Sequence, residues 1–263
     1  MLLTWLLFFE LGRIIFLVYH HSESSRLSFK TILQTFVHGF KMDLSMVGYV
    51  IAPVCLMVLI SVFIPFFRKA ILYKIYCGFL LFLFLLIVLV DLEIYNEWGY
   101  RLDSTIIQYL SSPGEAFASV GHLPVFLIFL VFALVYATLL LLFNRLINQT
   151  HYLLQATSHW APASLVIIVF TVSLIIPIRG GFQMQPMNQS WVYFSNNNHA
   201  NVSALNAPWN FLQDVFDNQK ITENPYQFLS TERSVSIVDS LHRSSNTHQQ
   251  LIDTSGNTNV ILL

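Results

Sequence analysis

The sequence predicts an all-α membrane protein with five transmembrane helices, short interfacial helices, and a polar segment after the last crossing. Three observations lead there. Of the 263 residues, 55% are hydrophobic and only 10% are Asp, Glu, Lys or Arg, against about 25% charge in an ordinary soluble domain. Apolar runs near twenty residues recur, and at about 1.5 Å per residue each matches the roughly 30 Å hydrocarbon core of a bilayer. Finally, Ile71–Val90 has Arg68, Lys69 and Lys74 at its start. Asp91, Glu93, Glu97, Asp103 and Glu115 follow its end, against Arg101 alone. Lys and Arg stay on the cytoplasmic side, so this helix runs from inside to outside and sets the direction of the others. The net charge of -1 offers nothing to nucleic acid.

The first crossing is 2–19. A signal peptide would need a basic start and a small-residue cleavage site, and neither is present. Glu10 and Arg13 interrupt its centre at i, i+3, where they share a face and can neutralise each other as an intramembrane ion pair. Two roles stay open for that pair: a structural tie to neighbouring helices or a functional site.

Ser22–Met42 reads as an amphipathic helix. Phe29, Ile32, Leu33, Phe36, Val37 and Phe40 share one face, and Arg26, Lys30, Gln34 and His38 form a stripe opposite. It either lies on lipid, with Arg26 and Lys30 toward anionic head groups, or packs on the bundle. Its basic residues fall on the expected outer side, against the positive-inside bias.

The second crossing is 44–67, with Pro53 and Pro65 as expected kink points. The third is 71–90. A loop over Asp91–Gly121 then carries two short helix starts. One is Asp103-Ser-Thr; the other is Ser112-Pro-Gly-Glu115, which has the form of a capping box. Asp91 and Glu93 are not read as an acid/base pair, because i, i+2 residues on a helix point apart. The fourth and fifth crossings are 123–143 and 160–178. Parity then puts the N-terminus inside and everything after Ile178 outside. Cys55 and Cys77 lie in apolar runs, where they read as packing rather than as a disulfide or metal site.

Residues 179–252 form an extracytoplasmic linker. Arg179 marks the membrane exit, and Trp191, Tyr193, Phe194 and Trp209 suit the head-group level. Arg179, Trp191 and Trp209 join Arg26 and Lys30 as candidate head-group contacts. Asn148, Asn188 and Asn201 open N-x-S/T sequons, a signal that counts only in a secretory eukaryotic context. Val235, Val238 and Leu241 give a short helix one apolar stripe. The nine histidines are scattered, with no HExxH and no acid–His cluster expected outside the membrane. In 253–263 a turn-like Ser-Gly-Asn leads into Val-Ile-Leu-Leu, the pattern of a buried parallel strand that needs neighbours. It reads as the start of a truncated α/β domain, in preference to a frayed hydrophobic tail.

Arg101-Leu-Asp with the following YLSSPGEAFAS, then IPIRGGFQMQPMNQSWVYFSNNNHANVSALNAPWNF, and finally NTNVILL, together resemble the N-terminal part of lipoteichoic-acid-synthase-like proteins. These are the membrane-bound phosphoglycerol transferases and sulfatases of bacteria. The resemblance implies a bacterial cytoplasmic membrane, five crossings, an extracytoplasmic linker, and then an alkaline-phosphatase-like domain whose first strand is NTNVILL. It also implies a threonine nucleophile activated by a divalent metal, often manganese. Those residues would belong to the missing catalytic domain, so no catalytic, cofactor-binding or metal-binding residue is assigned in this chain. As a fragment it is expected to be inactive, with membrane lipids as its partners. Two non-enzymatic readings compete: a lipid-handling or transport subunit, and the input half of a membrane sensor.

Overall fold

The computed structural model describes residues 1–110, 125–151, 160–218 and 228–242. They belong to two units, Met1–Asn218 and Gln219–Leu263, and every regular element among the described residues is helical. The expected helix after Ser112 and the expected strand in 253–263 lie outside the described residues.

The first unit contains α1 (Leu2–Tyr19), α2 (His21–Ser24), α3 (Phe29–Phe63), α4 (Ala70–Trp98) and α5 (Thr105–Leu110). It continues with α6 (Val125–His151), α7 (Trp160–Ser173), α8 (Ile175–Arg179), α9 (Asn198–Ser203) and α10 (Ala207–Asn218). Single 3-10 turns occupy Pro65–Arg68 and Gln189–Val192. In the second unit α11 (Thr231–His242) carries Val235, Val238 and Leu241, all exposed. Five stretches are long and apolar enough to cross a membrane: α1, α3, α4, most of α6, and α7 joined to α8. The chain is a multi-pass membrane protein.

Three boundaries differ from the sequence reading. The amphipathic segment Ser22–Met42 and the crossing 44–67 are not separate, because α3 runs unbroken from Phe29 to Phe63. No helix breaker separates the two parts, and Pro53 sits inside the helix without ending it. At about 1.5 Å per residue α3 is roughly 52 Å long, well beyond a bilayer's hydrocarbon. Its ends are chemically defined: the Ser28 hydroxyl accepts from Thr31 N–H at 3.1 Å, and Pro65 follows the exit at Ile64. Arg68 then donates to the Ser61 carbonyl (2.8 Å), satisfying an acceptor of the last turn.

The second difference is that α4 continues past Val90 to Trp98, so Asp91 and Glu93 are helical rather than in a loop. Nothing stops the helix before Gly99, whose φ of 73° provides the left-handed residue that closes it. The third is that α6 takes in Asn144–His151, expected as a connection.

Aromatic packing fixes the register. Trp5 is fully buried and meets Phe84 and Phe143 edge-on, with ring centroids 5.7 and 4.9 Å away. Further along, Gly12 faces Val88, so α1 and α4 run parallel. On the other side α3 receives α8 at Gly48, where an added Cβ would lie 2.7 Å from the Ile178 side chain. Leu3, Leu7, Leu11, Ile14 and Val18 form a continuous exposed stripe on α1 at helical spacing, the face that lipid covers. Exposed Tyr19, Trp98 and Tyr100 ring the same end of the bundle, as interfacial aromatics do.

Candidate functional site

Below that aromatic ring, buried charges from three crossings meet the segment that follows the last one. Arg13 is central. Its Nη1 lies 2.7 Å from Glu10 Oε2 and 2.8 Å from Asp43 Oδ2, and its Nη2 donates to the Ala204 carbonyl at 3.3 Å. Glu10 and Arg13 therefore pair as expected. The sequence reading missed Asp43, whose side chain is completely buried. It lies where the charge-free part of α3 begins, and only the fold brings it to Arg13. Gly39 makes room: a Cβ there would strike both the guanidinium and the Ala204 carbonyl.

From Asp43 the network passes into the linker. Asn206 Nδ2 donates to Asp43 Oδ1 at 2.8 Å, while Asn206 Oδ1 accepts from Trp209 N–H at 2.9 Å, capping the first turn of α10. Trp209 Nε1 donates to Ser45 Oγ (3.1 Å), which donates to the Ile178 carbonyl (2.8 Å). Trp209, expected at the head-group level, is thus buried against α3 and α8. The reason is its indole N–H, which finds an acceptor inside the protein. Trp191 is half-buried against the same core. Arg179 is bonded to the Gln183 and Met184 carbonyls. Arg26 and Lys30 are exposed.

A second pair lies alongside. Arg101 grips Asp91 with two bonds, Nε to Oδ1 at 2.9 Å and Nη2 to Oδ2 at 2.8 Å. Its Nη1 donates to the Val202 carbonyl at 2.8 Å, and its guanidinium stacks over Phe16, 4.1 Å from the ring centre. Glu93, two residues from Asp91, points elsewhere and accepts from the Tyr19 hydroxyl at 2.6 Å. A cavity of about 20 Å³ separates the two arginine pairs, lined by Arg13, Asp91, Arg101 and Asn206 among others. It is large enough for a single water and too small for a substrate.

The third cluster corrects the expectation that no acid and histidine meet outside the membrane spans. His199 on α9 has Nδ1 at 2.9 Å from both Glu23 Oε2 and the Tyr95 oxygen, and Nε2 at 2.9 Å from Ser24 Oγ. Tyr95 also donates to Glu23 Oε2 at 2.9 Å. One neutral tautomer satisfies the whole set, with Nδ1–H donating and Nε2 accepting from Ser24. Burial is the main force holding the His199 pKa below its ordinary value, with Arg101 adding to it and Glu23 opposing. His20 is lowered too, first by burial and then by His199. No spacing rule could reveal the cluster, since its members are up to 176 positions apart in the chain.

Ser24, His199 and Glu23 follow the order of a nucleophile, a base and its orienting acid. The backbone beside Ser24 offers no spare donor to a developing oxyanion. The N–H groups of Ser24, Ser25, Arg26 and Leu27 are all committed to carbonyls of the same turn. No group of three metal-ligating side chains occurs among the described residues. The arrangement is a clamp that fastens the linker to α2 and α4.

Inside the linker, asparagines tie the turns together. Asn201 Oδ1 accepts from Phe194 and Ser195 N–H at 2.9 Å each, and its Nδ2 donates to the Ser195 carbonyl at 2.6 Å. The Asn188 side chain caps the turn at Ser190. Two of the three sequon asparagines are therefore structural. Comparison of the chain with protein-family models, with curated proteins and with solved structures finds no match.

Proposed function

We propose that the chain is the membrane-anchoring part of an extracytoplasmic phosphoglycerol-transferase- or sulfatase-like enzyme, acting on lipid head groups or envelope glycopolymers at a bacterial cytoplasmic membrane. In this reading the N-terminus is cytoplasmic and the linker extracytoplasmic. One observation carries it. The linker between His199 and Asn206 is fastened to the bundle through Arg13, Asp43, Arg101 and Glu23. An anchor of that kind would keep the chemistry near the membrane surface, where a lipid substrate is concentrated. The charge asymmetry around Ile71–Val90 supports the same orientation.

A second reading, a polytopic lipid-handling or transport protein, gains from the buried charges. Glu10, Arg13, Asp43, Asp91 and Arg101 exceed what an inert anchor needs. Against it, Arg13, Asp91 and Arg101 meet around a cavity of about 20 Å³, too small for cargo to pass between them.

Two measurements test the proposal. Cysteine substitutions at exposed Met184 and Gln185 are probed with a membrane-impermeant maleimide in intact cells. The product of the complete natural gene is then incubated with fluorescent phosphatidylglycerol and Mn²⁺. External labelling together with metal-dependent release of diacylglycerol supports the anchor reading. Internal labelling, or no head-group turnover under any divalent metal, overturns it.

A further inference from the structure

Ser24 belongs both to the His199 clamp and to the lining of an apolar hollow. Its Oγ lies 2.9 Å from His199 Nε2, and the other ring nitrogen, Nδ1, lies 2.9 Å from Glu23 Oε2. The Tyr95 hydroxyl donates to the same carboxylate oxygen at 2.9 Å and holds the acid against the ring. In the tautomer that satisfies these contacts, the Ser24 hydroxyl donates to an unprotonated Nε2. Burial keeps the His199 pKa below its ordinary value, so at about pH 7 the ring is neutral and able to take that proton. Fastening the linker needs one hydrogen bond at Ser24. A line from hydroxyl through imidazole to carboxylate also activates the hydroxyl as a nucleophile.

The hollow has a volume of about 430 Å³ and lies between α1 and α3. Carbon of Ile14, Val18, Ile32 and Phe36 forms its walls, and His21 and Ser24 line its polar end with Ser25. Among the described residues no Lys, Arg, Asp or Glu lines it. Ile14 and Val18 are exposed on a membrane-crossing helix. This lining discriminates between electrophiles. An anionic phosphate diester would sit against carbon with no cation to receive it. A neutral carboxylic ester fits, with its aliphatic chain against the walls and its carbonyl toward α2.

We propose that Ser24 is the nucleophile of an esterase site for aliphatic carboxylic esters, with His199 as general base and Glu23 positioning His199. Ser24 Oγ bonds to the ester carbonyl carbon as its proton passes to His199 Nε2. The tetrahedral adduct then breaks its bond to the alcohol oxygen, which leaves with the proton from Nε2. Water attacks the acyl-serine, again giving a proton to His199; that proton returns to Ser24 Oγ as the free acid departs. His21 lines the same hollow, and its ring N–H is the donor assigned to the oxyanion, a role that the backbone of this turn leaves unfilled. The site does not depend on the anchor reading.

The experiment treats the full chain in dodecylmaltoside with two fluorophosphonates, one carrying a decyl chain and one an ethyl chain. Ser24 Oγ displaces fluoride from phosphorus, and tandem mass spectrometry locates the adduct. In the wild type the decyl reagent should modify Ser24 at least about tenfold faster than the ethyl reagent. His199→Gln should slow both by at least about a hundredfold. Glu23→Gln should slow both by one common factor and leave the chain-length preference intact. Ile32→Trp, which narrows the hollow, should abolish the preference and spare labelling by the ethyl reagent. Because Ser24→Ala could loosen the linker, the assignment is made from the wild-type adduct rather than from loss of label in that variant. Hydrolysis is then followed with 4-nitrophenyl decanoate and with dioleoyl phosphatidylcholine. Turnover of the first alone identifies a free ester as substrate, and release of oleate identifies a membrane lipid. The proposal is overturned if Ser24 carries no adduct, if the wild type reacts equally with both chain lengths, if His199→Gln leaves the rate unchanged, or if neither ester is hydrolysed.

Discussion

Replacing Arg13 with methionine tests the central ion network most directly. The substitution keeps an unbranched apolar side chain of similar reach and deletes the guanidinium that faces Glu10, Asp43 and the Ala204 carbonyl. The two carboxylates then suffer unequally. Glu10 retains about a fifth of its side-chain exposure and can rehydrate. Asp43 has none, and its remaining donor is Asn206 Nδ2. Stranding one buried charge in this way costs about 3–5 kcal/mol. The loss should appear in unfolding of the purified chain in dodecylmaltoside with a rising fraction of sodium dodecyl sulfate, followed by circular dichroism. Because Arg13 also holds the linker, chymotrypsin should cut after Tyr193 faster in the variant. Asp43→Asn supplies the control: in Arg13→Met/Asp43→Asn neither side of the pair is left charged. The double variant should therefore lose about 2–3 kcal/mol less than the sum of the single losses. A loss below about 1 kcal/mol for Arg13→Met, or a coupling indistinguishable from zero, would refute the claim that this pair joins α1 to α3.

Other perturbations address the neighbouring contacts. Gly39→Ala should push the Arg13 guanidinium off the Ala204 carbonyl and cost about 1–3 kcal/mol in the same unfolding assay. Tyr95→Phe removes the donor to Glu23 and the acceptor beside His199. Since Glu23 is half exposed, the expected loss is only about 1 kcal/mol. Acidification should loosen the clamp. The folded pKa values of His199 and His20 are depressed, so the unfolded chain binds more protons as pH falls below the ordinary histidine value of 6.5. Stability is complete above that value and declines from there down to the folded pKa values. Protease sensitivity of the 182–210 segment should rise over that window in the wild type, and His199→Gln should flatten the response.

The sequence by itself determined the class and the number of crossings. Twenty-residue apolar runs admit no soluble alternative, because an unpaired backbone in lipid forces helices wherever the bilayer is crossed. It also determined the Glu10–Arg13 pair, since i, i+3 spacing on a helix leaves the two side chains adjacent. Apolar runs marked the crossings better than the helix ends: helices continue wherever no breaker intervenes, as α3 does before Leu44 and α4 does after Val90. Only the tertiary structure decided the rest. Asp43 joins Arg13 because α1 and α3 pack side by side, and Asp91 receives Arg101 because the chain turns back after Gly99. Trp209 turns inward because Ser45, 164 residues earlier, offers it an acceptor. His199 becomes a clamp through partners on α2 and α4. Buried polar groups in a membrane protein must find partners wherever the fold provides them, and that distance along the chain is what no local pattern encodes.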